Sequence, residues 1–445
     1  MSEADARLLR VLGLGFALAV SLGNTIAAGI FRVPGDVAGH LPHAGLFLLA
    51  WAACGAYALV GALQIAELGT MLPRSGGQYV FARHALGEYP GFVVGWSDWI
   101  STCGAAAAVA LLIGEYTAAL ARSLEYYVPE LATAVAVAFA IAQWRGIREG
   151  SRIQAVTSLL KMLAFAVLLA AAFSFGGRSP AAADAATQAP SGLALITAFV
   201  LAVQGIIFTY DGWTGPVYFS EELRDPAREL PRSLFGGVLT VIAVYLLVNL
   251  ALLYVVPMQS LAGDPFAAGT AARILFGEGG ERVLRILTVV SLLSAVNAYH
   301  LMASRVLFAM SRDGLLTNRV ASVNAGGTPT RALLLGTVAA VSFVLLGRTS
   351  AQVITIMAFF YIANYTLSFV SVFVLRFREP HRPRPYRAWG YPWTTALALL
   401  ASLAFLLGAM AGDTRNSLYA CLLLAASYPI FRILQRSGDS TESTA

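Results

Sequence analysis

Lys161 is the only lysine in the chain; every other cationic side chain is an arginine, placed at or near the end of an apolar segment. Lys161 instead lies inside the run Gln154-Ala-Val-Thr-Ser-Leu-Leu-Lys161-Met-Leu-Ala-Phe-Ala-Val-Leu-Leu-Ala. A helix that starts near Ser151 carries it about 15 Å along the axis. In a hydrocarbon layer about 30 Å thick, that puts the ammonium near mid-membrane. A cation there costs at least ~2.5–3.5 kcal/mol, so it must face a protein interior or a water cavity. It serves either as a structural lysine bonded to helix-end carbonyls or at an ion or proton site. Its expense and its ability to change charge state favour the second.

Two apolar segments carry glycine interruptions. The first reads Ser21-Leu-Gly23-Asn24-Thr-Ile26-Ala27-Ala28-Gly29-Ile30-Phe31, the sixth Phe208-Thr209-Tyr210-Asp211-Gly212-Trp213-Thr-Gly215-Pro216. A helix broken in mid-membrane is tolerated only where it lines a cavity. The breaks lie five segments apart, and an odd-numbered unit repeats in the opposite sense. That is the pattern of an inverted repeat with a binding site at its interface. Asp211 stands in the second break. It either contacts a cationic group of a substrate or caps the half-helix after the break; aspartate's preference for N-caps favours the cap.

The elements that position these groups are membrane helices. The chain is 58% hydrophobic and 12% charged, far from the soluble norm. Twelve apolar segments are predicted, near 8–32, 44–71, 89–120, 128–146, 151–176, 193–222, 232–256, 283–311, 331–347, 350–376, 394–411 and 416–434. A small-residue loop spans 176–192, and the stretch 258–280 has room for a short surface helix. The first segment is too long for a cleavable signal and is expected to stay as a spanning helix. With the N-terminus in the cytoplasm most arginines fall inside, from Arg7 and Arg10 through the cluster Arg376 to Arg387 and on to Arg436. An even helix count with both ends cytoplasmic follows. The net charge of +6 reflects these loop arginines, with no basic stripe of a nucleic-acid binder. Cys54, Cys103 and Cys421 lie in apolar segments as packing residues. His40 and His43 flank Pro42 without metal-ligand spacing, and neither a metal nor a cofactor is expected.

Several stretches resemble the amino acid–polyamine–organocation superfamily, nearest its L-type amino acid transporter branch. Gly23 to Phe31 is similar to the first-helix glycine motif, with Ala27-Ala28-Gly29 where the branch usually has Gly-Ser/Ala-Gly. Glu67 to Tyr79 resembles the loop after helix 2. Phe208 to Trp213, then Glu221-Glu222-Leu-Arg-Asp225-Pro226 and Leu230-Pro231-Arg232, resembles helix 6 and the following loop. Ser311 to Leu315 and Gly327-Thr328-Pro329 resemble the loop after helix 8, with Thr317 where proline is common. Arg384 to Pro392 resembles the loop before helix 11, and Thr157 to Lys161 the fifth-helix lysine motif.

The fold this resemblance implies is an all-α polytopic membrane protein of 12 transmembrane helices: a five-plus-five inverted repeat with discontinuous helices 1 and 6, plus two peripheral helices. Residues 1–445 then form one transporter domain, with repeat one at about 8–176, repeat two at about 193–376, helices 11–12 at about 394–434 and short cytoplasmic tails. The implied substrate site comprises Ile26, Ala27, Ala28, Gly29 and Ile30 of helix 1 and Phe208, Thr209, Tyr210, Asp211 and Gly212 of helix 6. The N–H groups of residues 27–29 meet a carboxylate; the carbonyls of Ile26 and of Phe208 to Asp211 meet an ammonium. Ser101 and Thr102 of helix 3 and Tyr299 of helix 8 line the side-chain pocket, and Phe208 closes over it. Each could instead be ordinary packing, and Asn297 and Asn364 either line the cavity or bridge helices. Glu115 bonds a neighbouring helix or faces water, and Glu67 and Asp98 anchor loops.

By the same resemblance, Lys161 fills the place where sodium-coupled relatives hold a cation, reaching helix-1 carbonyls near Asn24–Ala27 and polar groups on helix 8. The expected function is secondary transport of neutral L-amino acids across the cell membrane, by sodium-independent exchange or proton symport. Cationic amino acid or polyamine carriage is the alternative, through Asp211. An enzyme is disfavoured because no nucleophile–base pair or metal spacing appears. A non-transporting sensor would normally add a soluble domain, and a channel a filter-like sequence. The loop Ala121 to Glu130 has no cysteine, so no disulfide-linked heavy chain is expected; the partners are the amino acid and the bilayer, the state monomer or homodimer.

Overall fold

The computed structural model describes residues 8–27, 29–176, 191–346 and 350–442. Sixteen α-helices follow one another: α1 (Leu14–Thr25), α2 (Gly29–His40), α3 (Ala44–Met71), α4 (Gln78–Leu86), α5 (Glu88–Leu120), α6 (Val128–Trp144), α7 (Ile147–Phe175), α8 (Leu193–Tyr210), α9 (Pro226–Val255), α10 (Met258–Leu261), α11 (Ala267–Arg312), α12 (Thr330–Leu346), α13 (Ser350–Arg378), α14 (Trp393–Gly412), α15 (Thr414–Ala425) and α16 (Ser427–Glu442). Among the described residues eleven helical spans are long and apolar enough to cross a membrane. In the ninth place of the sequence pattern stands the shorter apolar helix α12.

Both glycine interruptions are real breaks. The first segment divides into α1 and α2, and it begins at Leu14 and ends at His40 rather than spanning 8–32. Residues before Leu14 are extended: Leu12 pairs with Leu223, donating to the Glu222 carbonyl at 2.9 Å and accepting from Arg224 N–H at 2.9 Å. The sixth segment stops being α-helical at Tyr210, and Gly215–Phe219 is a tight 3₁₀ turn rather than a continued helix. The eighth segment is preceded by a helix that changes direction at Gly277, which fits the short surface helix expected there. The small-residue loop lies, over 177–190, outside the described residues.

The core forms around α5 and the second part of α11, which pack on each other. Ala105 to Ala110 of α5 are all buried, and small side chains let neighbouring backbones approach closely where no water drives association. The broken pairs sit beside this axis, α2 against α8 and α1 against α7 and α9. At the periphery, α14 to α16 leave Leu397, Leu400 and Leu407 exposed, as expected of a lipid-facing surface.

On the side of residue 8 the sequence motifs meet as ion pairs. Glu222 and Arg305 are fully buried and joined at 3.1 Å. Glu221 takes Arg312 at 2.9 Å and the Ser75 N–H at 3.1 Å. Asp313 takes Arg74 at 2.7 Å and the Tyr79 hydroxyl at 3.0 Å. Glu67 binds Arg376 at 2.6 Å, Arg384 at 3.1 Å and the Ala388 N–H at 2.7 Å, anchoring the loop before α14. On the opposite side the segment after α10 lies on α2, with Gly263 N–H donating to the Gly35 carbonyl at 2.9 Å. Arg32 and Glu115 approach to 3.9 Å there, so Glu115 has a neighbouring-helix partner and is also partly exposed. The bundle is therefore closed on both faces.

Candidate functional site

A helix end leaves its last carbonyls without intrahelical donors. In α1 the Ile26 N–H returns to Leu22, and two side chains from other helices take carbonyls further on. Lys161, 2% exposed, donates to the Gly23 carbonyl at 2.7 Å. The Tyr245 hydroxyl of α9 lies 2.6 Å from the Thr25 carbonyl and 2.8 Å from that of Thr209. Tyr245 thus spans both breaks, and its single proton serves two carbonyls.

Lys161 belongs to a polar edge of α7. Gln154 and Ser158 both donate to the Ala19 carbonyl, at 3.1 and 2.9 Å, and Lys161 follows one turn later on the same face. The expected contact with residues 24–27 is corrected to Gly23. The reason is the rise of α1 past α7: the last full turn of α1, not the unwound residues, lies level with Lys161. From α11, Ser294 donates to the same carbonyl at 3.3 Å. A cavity of about 10 Å³ adjoins the ammonium, lined by Phe31, Thr288 and Ser291 among others, at the lower limit for one water.

The two breaks touch. Gly212 has φ +108°, a conformation L side chains rarely adopt, and a Cβ there would lie 2.7 Å from the Asn24 side chain. A Cβ on Gly29 would fall 2.2 Å from the Thr209 hydroxyl, so the start of α2 rests directly on the end of α8. Ile26, Ala27, Gly29, Ile30, Phe208, Thr209, Tyr210 and Gly212 are all buried around this junction. Ala28 lies outside the described residues.

The cap assigned to Asp211 is corrected. The 3₁₀ turn after the break has no side-chain cap. Asp211 is instead the residue that closes α8, its N–H returning to Ile207. Its carboxylate accepts from the Tyr365 hydroxyl of α13 and from the Gly212 N–H. The helix after the break is a single tight turn whose start lies beyond the reach of the Asp211 carboxylate, so there is no α-helical N-terminus for it to cap.

The side-chain pocket residues are distributed differently. Ser101 donates to the Asp98 carbonyl within its own helix at 3.0 Å. Thr102 and Tyr299 line one small crevice together with His300 and with Leu333 of α12. Phe208 stacks on Tyr361 with ring centroids 6.5 Å apart. Tyr210 points its hydroxyl to the Trp51 carbonyl at 3.2 Å, and its ring meets Tyr245 edge-on at 4.9 Å. Asn297 bridges helices, donating to Gln154 at 3.0 Å and accepting from Gln143 at 2.9 Å. Asn364 does likewise with Ser97, at 2.6 Å. Asp98 accepts from Tyr218 at 2.7 Å and so anchors the segment after the second break.

Tyr245 and Tyr365 were not reached from the sequence. Each is one tyrosine on an otherwise apolar helix, and nothing local separates it from a packing residue. Gln154 and Ser158 had a usable signal, their i, i+4 spacing upstream of Lys161.

Two helices broken at the same depth, joined by a tyrosine and flanked by a buried lysine, define a membrane carrier rather than an enzyme. The profile of the family described as "Amino acid permease" matches residues 12–426, and the chain belongs to that family, within the amino acid–polyamine–organocation superfamily. It is 29% identical over 440 residues to the serine/threonine exchanger SteT of Bacillus subtilis, covering 97% of this chain and 98% of that one. It is 27% identical to the mouse b(0,+)-type amino acid transporter 1, over 96% of this chain and 88% of that one. It is 29% identical to the mouse large neutral amino acids transporter small subunit 2, over 85% and 73%. The protein is an amino acid transporter.

Proposed function

We propose that this transporter carries neutral L-amino acids by sodium-independent exchange across the cell membrane, through alternating access about the α1–α2 and α8 breaks. The observation that carries the reading is the bond from Lys161 to the Gly23 carbonyl at 2.7 Å. A fixed ammonium there holds α1 to α7 and supplies the charge that a bound sodium ion would otherwise bring. Residues 26–30 and 208–212 hold the substrate's carboxylate and ammonium, with Ser101, Thr102, Tyr299 and Phe208 around the side chain. Neutral substrates are supported by Asp211, whose carboxylate is already engaged by Tyr365 and Gly212. Exchange is supported by the likeness to a serine/threonine exchanger.

The architecture follows as two inverted repeats, about 8–176 and 193–376, with both termini cytoplasmic. The chain works without a disulfide-linked partner, since the 121–130 loop has no cysteine. The test is uptake of a labelled amino-acid panel into proteoliposomes of the single purified chain. Competition by small or branched neutral amino acids supports the reading. Competition by arginine, lysine or polyamines alone makes Asp211 a substrate ligand. Activity only on adding a second polypeptide refutes the single-chain assignment.

A further inference from the structure

A cleft of about 630 Å³ opens between α6 and α12, on the outer surface of the bundle. It is the size of a small-molecule site. Its walls include Val137, Ala140, Ile141, Leu334 and Val338, and all but Ala140 are more than a third exposed. Thr337 and Ser342 also line it, but their hydroxyls donate to the carbonyls of Leu333 and Val338 within α12. The walls therefore offer no hydrogen bond and suit hydrocarbon. The rim is different. Trp144, half exposed, and Arg145, exposed, close the cleft at the end of α6. A tryptophan and an arginine at that depth mark the headgroup level of the membrane.

We propose that this cleft binds one acidic phospholipid, its acyl chain between α6 and α12 and its phosphate on Arg145. Charge complementarity selects this occupant: a basic rim over an apolar crevice between membrane helices suits an anionic headgroup, whereas a partner helix would meet an arginine at the rim. In the proposed orientation the cleft opens to the cytoplasmic leaflet.

The rim is wired to the transport site. The Trp144 carbonyl accepts from Asn324 at 2.6 Å, and Gln143 of the same turn donates to the Asn297 carbonyl at 2.8 Å. Asn297 in turn donates to Gln154, which holds the Ala19 carbonyl of α1. A lipid that steadies the end of α6 thereby steadies α7 against α1.

The probe is phosphatidylglycerol. The full chain is placed in phosphatidylcholine nanodiscs doped with it, and retained lipid is counted by mass spectrometry after extraction. Wild type is expected to retain the acidic lipid preferentially. Arg145→Gln is expected to weaken retention roughly five-fold, one basic contact at an anionic headgroup being lost. Ala140→Phe, which fills the cleft and leaves the charge, is expected to abolish it. In phosphatidylcholine alone both variants should transport like wild type, while phosphatidylglycerol should accelerate only the wild type. Equal retention by wild type and both variants overturns the proposal. So does self-cross-linking of an Ile141→Cys variant in liposomes, since a second copy of the chain would then cover the cleft.

Discussion

Lys161 and Tyr245 do the same kind of work from opposite sides of α1. Each brings a donor to a carbonyl that the break leaves without an intrahelical partner, at Gly23 and at Thr25. A buried carbonyl stripped of its donor costs about 1–3 kcal/mol. Lys161→Ala should therefore lower the initial transport rate by roughly ten-fold or more, while the purified protein still elutes as a single folded species. Unchanged transport would reduce the lysine to packing. Tyr245→Phe keeps the ring packed on Tyr210 and removes only the shared hydroxyl. It should slow transport by a smaller factor, roughly three- to ten-fold, measured by the same uptake. Tyr365→Phe releases the Asp211 carboxylate. Arginine and lysine should then begin to compete with neutral substrates; if the competition profile does not move, Asp211 takes no part in selecting charge.

At the scale of elements, the breaks are set by contact as much as by propensity. Gly29 admits the Thr209 side chain, and Gly212 admits Asn24 while holding a positive φ. Gly212→Ala is strained twice, by conformation and by overlap, and should abolish exchange. Gly15→Ala serves as control, since nothing lies within 4 Å of a Cβ there; equal activity of the two would show that the breaks need not touch. The positions of both breaks and of most spanning helices were legible in the sequence, because apolar length and mid-membrane glycine are strong local signals. Their partners were not. Asp211 read as a cap because its local setting suits one, yet its carboxylate is claimed by a tyrosine 154 positions away. The 3₁₀ turn after Tyr210 was hidden for the same reason: Trp213, Tyr218 and Phe219 read as an apolar helix face, but they pack into three different neighbours. The family motifs were visible as strings, and only their meeting in space shows that Glu67, Glu221, Glu222 and Asp313 are the acids of a ring of ion pairs.

For the whole molecule, that ring closes one face, and the contact of residues 263–266 with α2 closes the other. Glu222–Arg305 is the buried member of the ring, and burial pushes the Glu222 carboxyl up while the guanidinium opposes it. Removing one partner of such a pair costs about 3–5 kcal/mol. Glu222→Leu should thus lower the thermal midpoint in detergent markedly, and Glu222→Leu with Arg305→Leu should recover part of it; no difference between single and double variants would remove the pair from the closed state. The central claim is that Lys161 stands in for a driving cation, so that amino acids move only against amino acids. It is tested most directly by counterflow in proteoliposomes. Labelled threonine should enter rapidly when unlabelled amino acid is inside, and imposing a sodium gradient should leave that rate unchanged. Concentrative uptake into empty vesicles driven by sodium alone would contradict the account.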